Sequence, residues 1–236
     1  LFYNCNPVKR VDEGSYLLTE NEIIVDEKTI SDSKVHSLIL QRPNAKLPIF
    51  GIPLGLHFYN LAKENPQESF DYWLYKKPKR KDRLTRFLSE KQVVALDTSY
   101  VNFNKWIKRS GEEPAVIRRE RINKSRQQLE RYYKSFGWFN TEVESRIEPD
   151  EKKDKRAKVV YKVIRKKPYE VGEIKHLISS PIVEDLFHEN IAETHIEEGK
   201  QYSAEDFIKE RRRITELMRN SGLYHFDQDY VGFEAD

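Results

Sequence analysis

Hydrophobic positions along the chain change period several times, and the clearest change lies between residues 119 and 165. In RERINKSRQQLERYYKSFG, Ile122, Leu129, Tyr133 and Phe136 recur at helical spacing, which predicts one amphipathic helix. Gly137 stands where a helix end favours a left-handed residue, because glycine takes positive φ without a Cβ clash. Trp138, Phe139 and Val143 open a strand that fades at Ile147 and Pro149. The turn DEKKDK is too charged to bury. Beyond it Ala157, Val159, Tyr161 and Val163 show the period of two expected of a half-buried strand. A helix followed by an antiparallel hairpin is half of a small α+β domain.

The pattern returns. Phe207, Ile214, Met218 and Gly222 stand 85 positions after Ile122, Leu129, Tyr133 and Gly137, and Leu223-Tyr224 follow the glycine as Trp138-Phe139 do. Tandem copies of one small domain are therefore expected. Upstream, Tyr16 to Asp26 reads as a strand, and Ser31 can cap a helix with Val35, Leu38 and Ile39 inside. Prolines 43, 48 and 53 forbid a long element through QRPNAKLPIFGIPLG. Short helices are expected over 56–64, 68–77, 83–96 and 103–109, forming an insertion within the first domain. The second copy opens with a strand over Pro168–Ser179, continues with a helix from Ser180-Pro181 and a long one from Ser203 to Asn220, and ends in a strand over Tyr224–Phe233.

The expected class is thus α+β, with tandem β-α-α-β-β domains. Residues 1–15 are a signal-peptide remnant and polar linker. Residues 16–167 form domain 1 with a helical insertion over 41–111. Residues 168–236 form domain 2, which lacks its last strand.

Composition narrows the function. The 236 residues carry 42 basic and 39 acidic side chains, a net charge of +3, so the surface mixes both signs. At 38% hydrophobic, the chain has enough apolar residues for small cores. It has no apolar run near the length of a membrane span. One cysteine excludes an internal disulfide and a cysteine-based zinc site. His188-Glu189 begins like a zinc-protease HExxH, but Ala192 stands where the second histidine is needed. No phosphate-cradling glycine loop and no serine elbow is present. The chain is read as no enzyme, with no metal and no cofactor.

Two local signals carry chemistry. At the start, apolar residues precede Asn4-Cys5 and a polar tract, as at the end of a lipoprotein signal peptide, which would make Cys5 an acylated first residue. Asn4 is larger than the small residue expected there, and the stretch alone leaves a plain surface thiol equally open. The second signal is KKPKRKDRLTR, Lys76–Arg86, with seven basic residues and one acid beside Tyr72, Trp73 and Tyr75. Alone it reads as a nucleic-acid patch with bases stacked on the aromatics. Leu84, Phe87 and Leu88 favour instead a core-facing helix behind a solvated or membrane-headgroup-facing turn.

The repeated strand and helix order, the glycine before an aromatic pair, and the join V-Y-K-V to K-P-Y-E-V-G-E-I resemble polypeptide-transport-associated (POTRA) domains. Further stretches are similar to the lipoprotein form of the translocation and assembly module subunit of Gram-negative bacteria. They are Cys5–Asn21, Gln41–Leu54 (QRPNAKLPIFGIPL), His57–Ala62 (HFYNLA), Phe87–Gln92, Trp106–Pro114 (WIKRSGEEP) and Arg219–Phe226. The resemblance implies lipidation at Cys5, an outer-membrane location on the periplasmic side, and a downstream membrane β-barrel. It implies protein partners: unfolded outer-membrane protein clients and a periplasm-spanning accessory subunit, with no nucleic acid. The mechanism expected is β-augmentation at sheet edges. The candidate edges are Thr141, Val143, Ser145 and Ile147 in the first domain and Tyr230, Val231 and Phe233 in the second. Within the first edge, the N–H of Glu144 is a candidate outward donor. The alternative is a nucleic-acid-binding protein using residues 76–86.

Overall fold

The computed structural model of the protein describes residues 6–48 and 51–234. By its contacts the chain divides into two compact units. One takes the described residues of Leu1–Glu22, Ile39–Ile122 and Arg146–Val160; the other takes those of Ile23–Leu38, Asn123–Ser145 and Tyr161–Asp236. The secondary structure is mixed α+β, as the periodicity predicts.

The sheet has four strands in the order β2-β1-β4-β3: β1 Leu17–Val25, β2 Lys28–Thr29, β3 Glu142–Pro149 and β4 Arg156–Ile164. β1 and β2 form an antiparallel hairpin with Val25 opposite Lys28. Its two turn residues, Asp26 and Glu27, both have positive φ, the form that matches strand twist. Leu17 N–H donates to Lys155 C=O at 2.9 Å and Asp26 N–H to Val163 C=O at 3.0 Å, so β1 and β4 advance in the same direction. In β4 the alternate residues Ala157, Val159, Tyr161 and Val163 are all buried, and so is Val160. Burial of a residue from the opposite set fits a central strand, whose other face is partly covered.

In the first unit, helix α2 (Leu54–Leu61) and helix α5 (Glu90–Ser110) pack closely. A Cβ at Gly111 would lie 2.5 Å from the backbone nitrogen of Tyr59, so only glycine permits the approach. Helices α3 (Pro66–Tyr75) and α4 (Arg80–Phe87) complete the insertion, with Phe70, Leu74 and Val93 as its own small core. The helix expected over 83–96 breaks at Leu88-Ser89. Ser89 caps α5 in a reciprocal box with Gln92, and that competing start signal ends α4. The pieces expected over 83–96 and 103–109 are joined in the single helix α5. Residues 6–15, expected as a polar linker, are folded: Val11 is buried with Leu17 and Leu56, Lys9 Nζ reaches the Asn60 carbonyl, and Arg10 reaches that of Ala62. Cys5 lies outside the described residues.

In the second unit, α1 (Ser33–Ser37) is capped by Asp32, not Ser31; the Asp32 carboxylate accepts from the N–H groups of Lys34 and Val35. Helix α6 (Arg119–Lys134), which starts in the first unit, buries Ser125, Leu129 and Tyr133 here. Ser125 continues the apolar stripe, and its side chain hydrogen-bonds the Tyr161 hydroxyl. Helices α7 (Pro181–Glu189) and α8 (Ala204–Asn220) stand where the second copy predicts them. The strands expected over 168–179 and 224–233 do not form. Residues 168–180 make only an isolated bridge, Glu170 with Gln201, and Gln228–Tyr230 is a 3-10 turn. Backbone groups of residues 169–171 are met by loop residues instead, with Tyr202 N–H on the Tyr169 carbonyl at 2.9 Å and Val171 N–H on the Lys200 carbonyl at 2.8 Å, so no ladder is needed there.

Candidate functional site

On the β1 side of the sheet, the strand is covered at its start and its end. At its start Leu18 N–H donates to Ala115 C=O at 2.8 Å and Ile117 N–H to Tyr16 C=O at 2.9 Å. Midway, Lys46 Nζ reaches the Thr19 carbonyl at 3.1 Å. At its end β2 pairs with it, and Ile30 N–H donates to Ile23 C=O at 3.0 Å. β3 is the terminal strand on the other side and, among the described residues, has no strand beyond it.

Asp150 N–H donates to Arg156 C=O at 2.8 Å, which sets these residues opposite each other. Glu148 then faces Lys158, and the two form an ion pair at 3.1 Å. Antiparallel alternation turns the backbone groups of Glu144, Arg146 and Glu148 toward β4, and those of Val143, Ser145 and Ile147 away from it. The expectation that Glu144 N–H points outward is therefore reversed: the outward donor nearest to it belongs to Ser145. One outward acceptor is already engaged, since Arg126 Nε on α6 donates to the Val143 carbonyl at 2.8 Å. What remains as edge is the N–H of Val143 and the N–H and C=O of Ser145 and Ile147.

The side chains on this strand alternate. Val143 is buried and Ser145 and Ile147 are half-buried, while Glu142, Glu144 and Arg146 are exposed. Thr141 lies just before β3, buried, with its hydroxyl donating to the Trp138 carbonyl at 2.7 Å. The polar face carries a row of ion pairs from Glu22 through Lys158 and Glu148 to Arg146, with another between Lys166 and Glu142. The two carboxylates raise the Lys158 ammonium pKa by accepting its hydrogen bonds, Glu22 first and then Glu148. Such charges discourage uncontrolled edge pairing while leaving the backbone accessible.

The second set of edge residues is placed differently. Val231 packs against the core of Phe187, Ile214 and Met218. The Phe233 ring meets Phe207 edge-on at 5.0 Å, and Tyr230 is exposed in its turn beside Phe226. None of the three lies on a strand.

Several structural residues had only family resemblance, and no periodicity, to mark them. Gln41 is buried; its amide donates to the Val116 carbonyl and its Oε1 accepts from Arg118 N–H at 3.1 Å. Asn44, also buried, donates to the Glu113 carbonyl at 2.7 Å and accepts from Ala115 N–H at 2.9 Å. Two amide side chains thus bind the loop 113–118 as a strand would. The stretches QRPN, HFYNLA and WIKRSGEEP meet here, through Gln41 and Asn44, Tyr59, and Gly111 and Glu113.

The basic run is also engaged. Lys76 lies over the Tyr72 ring at 5.2 Å, Arg80 over Trp73 at 5.0 Å, and Lys81 over Tyr75 at 5.5 Å. Each aromatic expected to stack a base carries a cation of the run on a face instead. Among the described residues, no helix is long and apolar enough to cross a membrane. His188 and His195 belong to no group of metal-ligating residues there.

No curated protein and no solved structure matched the chain. Residues 80–166 match the family model of the POTRA domain, described as a surface antigen variable number repeat; they run from α4 through β4 and so take in the hairpin whose outer strand is β3.

Proposed function

We propose that the chain is a periplasmic POTRA module of an outer-membrane protein assembly or translocation factor, and that it binds unfolded clients or an accessory subunit by adding a strand to β3. The observation that carries this reading is the contrast between the two sides of the sheet: β1 is covered at its start and its end, and β3 keeps outward N–H and C=O groups at Ser145 and Ile147. An extended peptide there exchanges backbone hydrogen bonds, which are indifferent to sequence, and so suits many clients. The alternating face of β3 adds a loose preference for alternating peptides. The POTRA match supports an assembly role in general. The resemblance to translocation and assembly module lipoproteins supports the finer reading, with Cys5 as a lipid anchor on the periplasmic side of the outer membrane. The equal spacing of the two glycine-capped helices supports tandem domains.

The test is an NMR titration with a peptide from a membrane β-barrel strand. Binding is expected at about high-micromolar to millimolar Kd, since ordering the peptide offsets much of the edge contact. Amide shifts should centre on residues 143–147. Shifts confined to 72–87 would refute augmentation at β3. For the anchor, acyl labelling of the native protein that survives Cys5→Ser would exclude Cys5 as the attachment site.

A further inference from the structure

The basic run on α4 does no work in strand capture, yet its geometry is specific. Its seven cations and single acid give a local charge of +6, against +3 for the whole chain, so the remaining residues sum to −3. The positive charge of this protein is concentrated in one stretch. Among the described residues, no ion pair neutralises any of the seven. Arg80 is held by the Trp73 carbonyl and ring, whereas the side chains of Lys77 and Arg83 make no hydrogen bond among the described residues.

These cations do not stand on a flat surface. Trp73, Leu84 and Phe87 line a cleft of about 340 Å³ together with Lys77, Arg80 and Arg83. Phe87 is 84% exposed at the end of α4, and Tyr72 and Tyr75 are exposed beside it. An exposed phenylalanine, aromatic side chains carrying cations, and free ammonium and guanidinium groups at one cleft are the ingredients of interfacial membrane binding. The ring enters the acyl boundary, the indole and phenols sit at headgroup level, and the cations meet lipid phosphates.

We infer that the α3–α4 corner is a docking site for the anionic phospholipid surface of a membrane, with Lys77 and Arg83 on headgroup phosphates and Phe87 inserted. Charge complementarity selects an anionic partner. The exposed Phe87 suits a bilayer, whose acyl boundary can bury the ring beneath the phosphates that the cations meet. The cations already lying over Tyr72, Trp73 and Tyr75 reduce the stacking surface that single-stranded bases need.

The test is co-sedimentation of the 236-residue chain, carrying Cys5→Ser so that no acyl chain contributes, with vesicles of phosphatidylcholine alone or with a quarter phosphatidylglycerol. Binding is expected only to the anionic vesicles and should weaken as salt rises. Removing a surface cation costs about fivefold in affinity, so Lys77→Gln with Arg83→Gln should lose about 25-fold. Phe87→Ser should lose about tenfold without changing the salt dependence. All three side chains are exposed or at the cleft rim, so unchanged melting and circular dichroism are expected and serve as the folding check. Equal binding to neutral vesicles, no binding to either, or an unaltered affinity in Phe87→Ser would overturn the inference. Tighter binding to single-stranded DNA, indifferent to Phe87, would assign the patch to nucleic acid instead. Strand capture at β3, read by the peptide titration, is independent of every one of these outcomes.

Discussion

Gly137 and Gly222 end their helices with the same bonds, yet they are under different constraints. Gly137 N–H donates to Lys134 C=O and Trp138 N–H to Tyr133 C=O; Gly222 and Leu223 repeat this with Arg219 and Met218. Both glycines have positive φ, +87° and +97°. Only Gly137 is also enclosed: a Cβ there would lie 2.9 Å from the Tyr169 carbonyl and 3.0 Å from that of Tyr202. A branched side chain at Gly222 faces the left-handed penalty of about 1–2 kcal/mol. At Gly137 it adds overpacking, for a total of about 3 kcal/mol or more. Urea unfolding of Gly137→Val and Gly222→Val should show this difference; equal losses would mean that the neighbouring carbonyls yield freely. The sequence makes the cap legible at both positions, because a glycine after an amphipathic helix is a local signal. The difference between them depends on carbonyls more than 30 positions away from Gly137, on segments the periodicity of α6 does not mention.

At the level of elements, β3 shows which part of an edge can be read in advance. The sequence reads a strand opened by Trp138 and Phe139 and fading at Ile147, whereas β3 runs Glu142–Pro149 and those two aromatics lie in the turn before it. Which of its N–H groups face outward depends on register, and register is set by the opposition of Asp150 and Arg156 and of Glu148 and Lys158. One residue of slip exchanges the two sets. Proline therefore separates them. Ser145→Pro removes an outward donor and should abolish peptide capture with little loss of stability, whereas Glu144→Pro removes a bond to β4 and should destabilise the domain by about 3 kcal/mol. Thermal melts combined with the peptide titration check both. Comparable melting of the two variants would show the register to be misassigned. The strands expected over 168–179 and 224–233 make the same point: alternation marks residues able to join a sheet, but a strand exists only where a neighbour supplies the other half of each bond.

For the molecule as a whole, the two most informative carboxylates both lie in the second unit. Burial works to raise the pKa of Glu210, but hydrogen bonds from Arg213 and the His195 N–H overcome it and hold the carboxyl below its ordinary value. Asp26 is lowered in the same way: burial opposes, and the Arg165 N–H and guanidinium prevail. A depressed folded-state pKa contributes stability that is present above the unfolded value and lost as pH falls through the folded one. Acidification from about pH 5 downward should therefore weaken this unit, and Asp26→Asn with Glu210→Gln should flatten that limb of the stability profile. Hydrogen exchange read at amides of 190–215 and 23–30 during acid titration would report it. An acid limb that is unchanged in the double variant would exclude these two groups as its cause.

By itself the sequence determined what is local: the amphipathic faces of α6 and α8, their glycine stops 85 positions apart, the alternation of β4, and the concentration of positive charge in Lys76–Arg86. Each follows from the period of neighbouring residues or from a single residue's backbone freedom. Only the tertiary structure decided what depends on residues distant in sequence. It paired Leu18 with Ala115 and set Gln41 and Asn44 against the loop 113–118. Amide side chains and strand edges carry no period of their own. Their role is fixed by which backbone groups would otherwise be left without partners, and that is settled only when the distant segments meet.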